Sequence, residues 1–271
     1  MSNGLQGMSD SQVTCAEFLG ARAQRAGARM FLLLLAIALP CSLRAESDWN
    51  LNVETGLVHA GRADVRIPNE SGTRFSLTND LRARDDDYTR VRLSRRVGDR
   101  HIIALTIAPL DVSATGRLPR DTRFVDTVFP ADTNARAGYR FNNDRLTYRY
   151  ILRDSPRWRV QIGGTAFVRD AEITLQSGSL RDKDDDLGFV PLASFRVDWR
   201  MTSSFSILLD GDALAAPQGR AEDVLVALLF NVSDKVQVKA GYRLVEGGAD
   251  NDEVYNFTLI NYASAGAIIS F

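Results

Sequence analysis

Residues 157–176, RWRVQIGGTAFVRDAEITLQ, decide the fold. Trp158, Val160, Ile162, Gly164, Ala166 and Val168 share one face, and Arg159, Gln161, Gly163, Thr165, Phe167 and Arg169 the other. Alternation of period two marks a β-strand with one face in an apolar medium; a helix would repeat its apolar residues every three or four positions. The pattern extends outward in both directions. Phe195, Val197 and Trp199 alternate with Ser194, Arg196 and Asp198. Val236, Val238, Ala240, Tyr242 and Leu244 alternate with Gln237, Lys239, Gly241 and Arg243. From Trp49 onward no stretch sustains a helical repeat for three turns, so the chain reads as all-β.

Polar turns divide this region into ten expected strands, near 49–58, 88–97, 100–110, 135–152, 157–176, 188–200, 204–214, 222–232, 235–246 and 254–271. Most reach the ~9–11 residues that cross a bilayer at a tilt. Connections alternate in length: tight turns at 97–100, 153–157, 200–203 and 231–235, and longer stretches near 59–87, 111–134, 177–187, 215–221 and 247–253. Short turns on one side, long loops on the other and an even strand count predict an antiparallel transmembrane β-barrel of about ten strands. Eight strands plus a plug hairpin is the nearest alternative. In 59–87, Val65, Ile67, Phe75 and Leu77 predict that the first hairpin continues beyond the membrane or folds back over the pore, with Gly56 and Gly61 placed to seat bulges. A soluble sandwich would need a second sheet to cover the apolar strands, and none can be assembled.

The chain has 271 residues, 45% hydrophobic and 25% charged, with 33 basic against 34 acidic residues and a formal net charge of −1. This balance argues against nucleic acid as a partner. The only long apolar run, residues 30–40 (MFLLLLAIALP), is too short for a transmembrane helix but suits the core of a signal peptide. Arg22, Arg25 and Arg29 precede it and Ala45 ends it, so 1–45 is expected to be a removed signal peptide and 46–271 the barrel domain. Both cysteines, Cys15 and Cys41, leave with it, and the mature net charge becomes −3.

At the end of the chain Tyr255, Phe257, Leu259, Ala263, Ala265, Ala267, Ile269 and the terminal Phe271 alternate to the last residue. This resembles the C-terminal strand of Gram-negative outer-membrane β-barrel proteins. The resemblance implies the cell outer membrane as location, outer-membrane lipids and lipopolysaccharide as surroundings, and recognition of Phe271 by the barrel-assembly machinery. It names an architecture and no activity.

On the inward face the expected lumen charges are Glu54, Glu172, Asp198, Asp210, Asp212 and Asp223 with Arg90, Arg92, Arg149, Arg159, Arg169, Arg196, Lys239 and Arg243. Opposite signs are available for pairing, so the lumen reads as an ion-paired plug. Enzymatic barrels of the resembled kind lean on a histidine, and the chain has two. His101 falls in a short turn. His59, near the outer end of the first strand, is a weak candidate base, but no G-x-S-x-G accompanies it. Asp85-Asp86-Asp87, Asp184, Asp185 and Asp186, and Asp250 and Asp252 lie at long loops as weak candidates for a divalent metal, although their spacing is not an EF-hand. Arg117, Arg120, Arg123 and Arg136 could grip lipid phosphates. No cofactor is expected, and the barrel reads as a monomer of structural, surface-interaction or narrow-channel type. The alternative is a lipid-modifying enzyme or protease using His59.

Deletion of Phe271 is expected to lower the membrane-inserted yield several-fold in a strain lacking periplasmic proteases, while the little barrel that inserts keeps wild-type heat resistance. Equal yields would contradict the assembly role.

Overall fold

The computed structural model describes residues 48–216 and 219–271, so the signal peptide expected over 1–45 lies outside the described residues. In chain order the strands are β1 (Trp49–Arg66), β2 (Phe75–Ser76), β3 (Leu81–Ala83), β4 (Asp86–Val97), β5 (His101–Ile107), β6 (Asp111–Arg117), β7 (Thr122–Phe124), β8 (Thr127–Phe129), β9 (Asn134–Asp154), β10 (Trp158–Ser177), β11 (Leu180–Arg200), β12 (Phe205–Ala216), β13 (Gly219–Asn231), β14 (Val236–Asp250) and β15 (Tyr255–Ser270).

Neighbour pairs with neighbour around a closed ring of ten antiparallel strands: β1, β4, β5, β9, β10, β11, β12, β13, β14 and β15, with β15 returning to β1. Closure is tight at the seam, where Trp49 N–H donates to Phe271 O at 3.2 Å and Phe271 N–H donates to Trp49 O at 3.0 Å. A ring without edges satisfies every ladder N–H and C=O inside the wall, the condition for a sheet to sit in hydrocarbon. The eight-stranded alternative is thereby set aside. A separate small hairpin, β7 with β8, lies off the ring.

The pleat sorts the side chains. Leu57, Leu105, Leu146, Ile162, Val226 and Leu228 point outward and are exposed, an arrangement stable only against an apolar medium. Trp158 and Trp199 stack at 5.5 Å beside the short turns, and the Arg95 guanidinium lies 5.3 Å from the Trp49 ring. Together with Tyr150 they form the aromatic girdle of that end.

Several strands are longer than expected, while β5 (His101–Ile107) is shorter than the 100–110 expected for it. The stretches 177–187 and 247–253 were expected as loops, yet β10 and β11 pair without interruption up to Ser177 and Leu180, and β14 runs to Asp250. Backbone ladders do not require apolar side chains, so the strands rise past the point where hydrophobic alternation stops. The two-residue connection Gly178-Ser179 carries Gly178 at φ +58°, the left-handed position for which glycine is suited. In β1 the register shifts between Ala60 and Arg62, so Gly61 seats the bulge, while Gly56 pairs in register with Ser264. The first hairpin does both things expected of it: β1 continues to Arg66, and the following segment folds back so that β2 pairs with Asp64 and Val65.

Purified in mild detergent, the chain should migrate as a compact band unheated and as a slower one after boiling. The same mobility before and after heating would be incompatible with a closed barrel.

Candidate functional site

Within the ring, alternate residues of β1, β4, β9, β11, β12, β13 and β14 project charges toward one another at mid-height. Glu54 is met by Lys239 Nζ at 2.5 Å and by Arg243 Nε at 2.8 Å. Arg243 also holds Asp223 at 2.5 Å, and Asp223 is shared with Arg90 at 2.8 Å and Arg145 at 2.7 Å. Arg145 bridges to Asp212 at 2.6 Å, and Arg149 reaches Asp210 at 2.8 Å and Asp212 at 3.9 Å. From Asp210 the chain of pairs passes to Arg196 at 3.1 Å and more loosely to Arg92 at 3.7 Å, and Arg196 grips Asp198 through Nε and Nη2. Seven cations and five carboxylates thus form one connected network. Hydroxyls fill remaining lone pairs: Tyr88 OH donates to Glu54 at 3.0 Å, and Thr165 and Ser194 donate to Asp212 at 2.8 and 2.5 Å. The Glu54 and Lys239 side chains are each only 1% exposed, so each charge depends on its partners rather than on water.

Of the residues expected in a lumen network, Glu54, Arg149, Arg196, Asp198, Asp210, Asp212, Lys239 and Arg243 come together here, as do Arg90, Arg92 and Asp223. Arg169 does not. It faces inward but lies nearer the long-loop end, paired with Asp186. Arg159 sits at the short-turn rim against Asp154. Glu172 is corrected to the outer wall, bonding Arg140 and facing Lys183; it shares parity with Ile162, so the pleat alone puts it outside. Arg145 was missed, although it stands four residues before Arg149 in β9, on the same face by the same counting.

The weak catalytic and metal candidates are dispersed. His59 Nδ1 lies 2.7 Å from Asp85, with side chains 64% and 66% exposed. Nearby Asp64 is clasped by Arg62 and Arg74 rather than paired with His59. The run Asp184, Asp185 and Asp186 is split by the pleat: Asp185 pairs with Lys183 outside and Asp186 with Arg169 inside. Burial, then the charges of Asp186, Asp185 and Glu253, raise the pKa of Asp184. Asp250 accepts from Asn69 at 2.9 Å, and Asp252 is an exposed turn residue. Among the described residues no three His, Cys, Asp or Glu side chains gather as a metal-binding group.

Toward the long-loop end the lumen is apolar. Phe75, Leu77, Leu81, Leu118, Phe124 and Phe129, from the segments that fold inward, are buried against Tyr139, Ile173, Leu175, Val245 and Ile260 of the wall. Phe75 and Phe124 meet edge-to-face at 5.7 Å. From one end to the other the lumen therefore holds an apolar core, then the ion-pair network.

No family model matches the chain, and no curated protein matches it. Among solved structures, the outer-membrane protease OmpT of Escherichia coli superposes with a TM-score of 0.52 at 11% identity, covering 85% of this chain and 99% of that one. The transport unit of the autotransporter AIDA-I of Escherichia coli gives a TM-score of 0.44 at 9% identity, over 90% and 96% of the two chains. Ail of Yersinia pestis gives 0.35 at 9%, over 83% and 100%. The chain folds as a Gram-negative outer-membrane β-barrel. Its location is the cell outer membrane; in barrels of this architecture the short turns face the periplasm and the longer loops the outside. At these identities the likeness is one of fold, and OmpT's proteolysis does not pass to this barrel with it.

Replacing Glu54 by Gln should destabilise the refolded barrel by about 3–5 kcal/mol in urea unfolding, because Lys239 and Arg243 lose a shared counter-charge in a site closed to water. The double variant Glu54→Met with Lys239→Met should recover part of that loss. If the single variant unfolds with the wild type, the network contributes nothing to stability.

Proposed function

We propose that the barrel is a closed, non-enzymatic surface scaffold whose outer rim engages lipopolysaccharide, acting as a monomer rather than as a diffusion pore. The observation that carries this reading is the filling of the lumen. At mid-height only about 20 Å³ is free between Glu54, Arg90, Arg145, Asp212, Asp223 and Arg243, and the apolar core lies above it. A hydrated solute needs a continuous aqueous path, and a connected set of buried ion pairs leaves none.

Two features of the outer wall support lipopolysaccharide as the partner. Just above the apolar belt, Arg140, Asp170, Glu172, Lys183 and Asp185 form an outward charged array at the height where lipid gives way to head groups and sugars. An open groove of about 650 Å³ is lined by Arg117 and Arg136, with Thr115, Asn134 and Gln176 beside them. Guanidinium forks of this kind suit phosphate oxygens.

In planar bilayers the purified barrel should show no conductance steps of porin size, and porin-sized steps would refute the closed lumen. Lipid A mass spectra from cells carrying wild type and His59→Ala should coincide; a change dependent on His59 would favour the enzymatic reading instead.

A further inference from the structure

Below the ion-pair network the lumen opens into a second cavity, of about 170 Å³, at the periplasmic end. Five arginines line it against a single carboxylate, Asp198, which is already gripped by two nitrogens of Arg196. Of the five, Arg159 and Arg200 pair with Asp154 at the rim, while Arg92, Arg149 and Arg196 belong to the network, which as a whole holds two more cations than carboxylates. Two arginines have unused capacity. Arg149 donates through Nε to Ser194 and through Nη2 to Asp210, both at 2.8 Å, but its Nη1 has no partner although the side chain is only 1% exposed. Arg92 stands 3.7 Å from Asp210, beyond hydrogen-bond length. Nearby, the buried Oδ1 of Asn52 is also unpartnered.

A buried guanidinium nitrogen without an acceptor is costly, and an enclosed pocket with excess positive charge attracts an oxyanion that accepts from several donors at once. The sheet separates the pocket from lipid head groups and the network closes it from above, so its ligand arrives dissolved in the periplasm. Its volume exceeds the ~30 Å³ share of a single water several-fold, enough for a phosphate group. We infer that this pocket binds a small soluble oxyanion of the phosphate class, held by Arg92 and Arg149. This inference is independent of the proposal about the outer rim, because the two sites lie at opposite ends of a closed lumen.

Inorganic phosphate titrated into the detergent-solubilised protein by calorimetry, at ionic strength held constant with chloride, should bind saturably with one site per barrel. Arg92→Gln should weaken that binding about tenfold or more, the loss of one charge-assisted contact. Ser94→Asp places a carboxylate in the pocket two residues along the same face of β4 from Arg92. It should abolish phosphate binding and raise the temperature at which the compact gel band is lost. If Arg92→Gln fails to fold, Ser94→Asp decides the matter alone. Absence of saturable phosphate binding by the folded wild type, or undiminished binding by folded Ser94→Asp, overturns the inference.

Discussion

A wall in contact with hydrocarbon must satisfy all its backbone N–H and C=O groups from within, and this constraint orders the rest of the molecule. It requires a ring, so the ends of the chain must meet. They do so through the reciprocal hydrogen bonds of Trp49 and Phe271, which join the first strand to the last. The ring in turn requires that every strand present apolar residues outward and place whatever alternates with them inside. The inner face is therefore a consequence of the outer one. Once Leu57, Leu105 and Ile162 face lipid, their neighbours along the strand have nowhere to go but a narrow lumen.

That lumen can be filled in two ways, and this barrel uses both. Near the outer end, Phe75, Phe124 and Phe129 swing in from loops and pack against Ile173 and Leu175, so the filling is brought to the wall by separate segments. At mid-height no loop enters, and the wall residues must meet across the ring themselves. Long charged side chains suit this, since an arginine spans more distance than a leucine and can satisfy two carboxylates from different strands, as Arg145 does for Asp212 and Asp223. The result ties β9 to β12 and β13, and β1 to β14, through interactions that are not part of the hydrogen-bonded wall.

Much of this was legible in the sequence because the pleat has an integral period. Counting by two from Trp158 places Arg159 inside and Ile162 outside without any structure, and the same count would have found Arg145 from Arg149 and would have kept Glu172 outside. Those two errors were of bookkeeping rather than of physics. Other differences were not legible. The strand over 180–187 carries polar residues on both faces, because above the belt neither face meets lipid, so period two disappears while the ladder continues. The inward fold of 75–81 and 118–129 rests on contacts between segments far apart in the chain, which no local pattern announces. The pairing of Asp223 with Arg243, Arg90 and Arg145 likewise depends on register around the whole ring: opposite charges were evident, but their partners were not.

The charged lumen also bears on how such a chain can exist before it folds. A barrel filled entirely with leucine and phenylalanine would be apolar on both faces of each strand, and successive strands would then approach the length of apolar sequence that forms a membrane-spanning helix. With Asp210, Arg149 and Arg243 interleaved, the mean hydropathy is −0.15, and among the described residues no helix is long and apolar enough to cross a membrane. Charge on alternate positions lowers the apolar content of each segment while leaving its outer face fit for lipid. The same residues that are costly to bury singly become tolerable once the ring closes, because closure brings Glu54 to Lys239 and Arg243 and Asp223 to its three arginines in one step. Lumen pairing and wall closure are therefore coupled: a partly closed sheet leaves both unpaired charges and an unpaired edge, and only the complete ring removes the two penalties together.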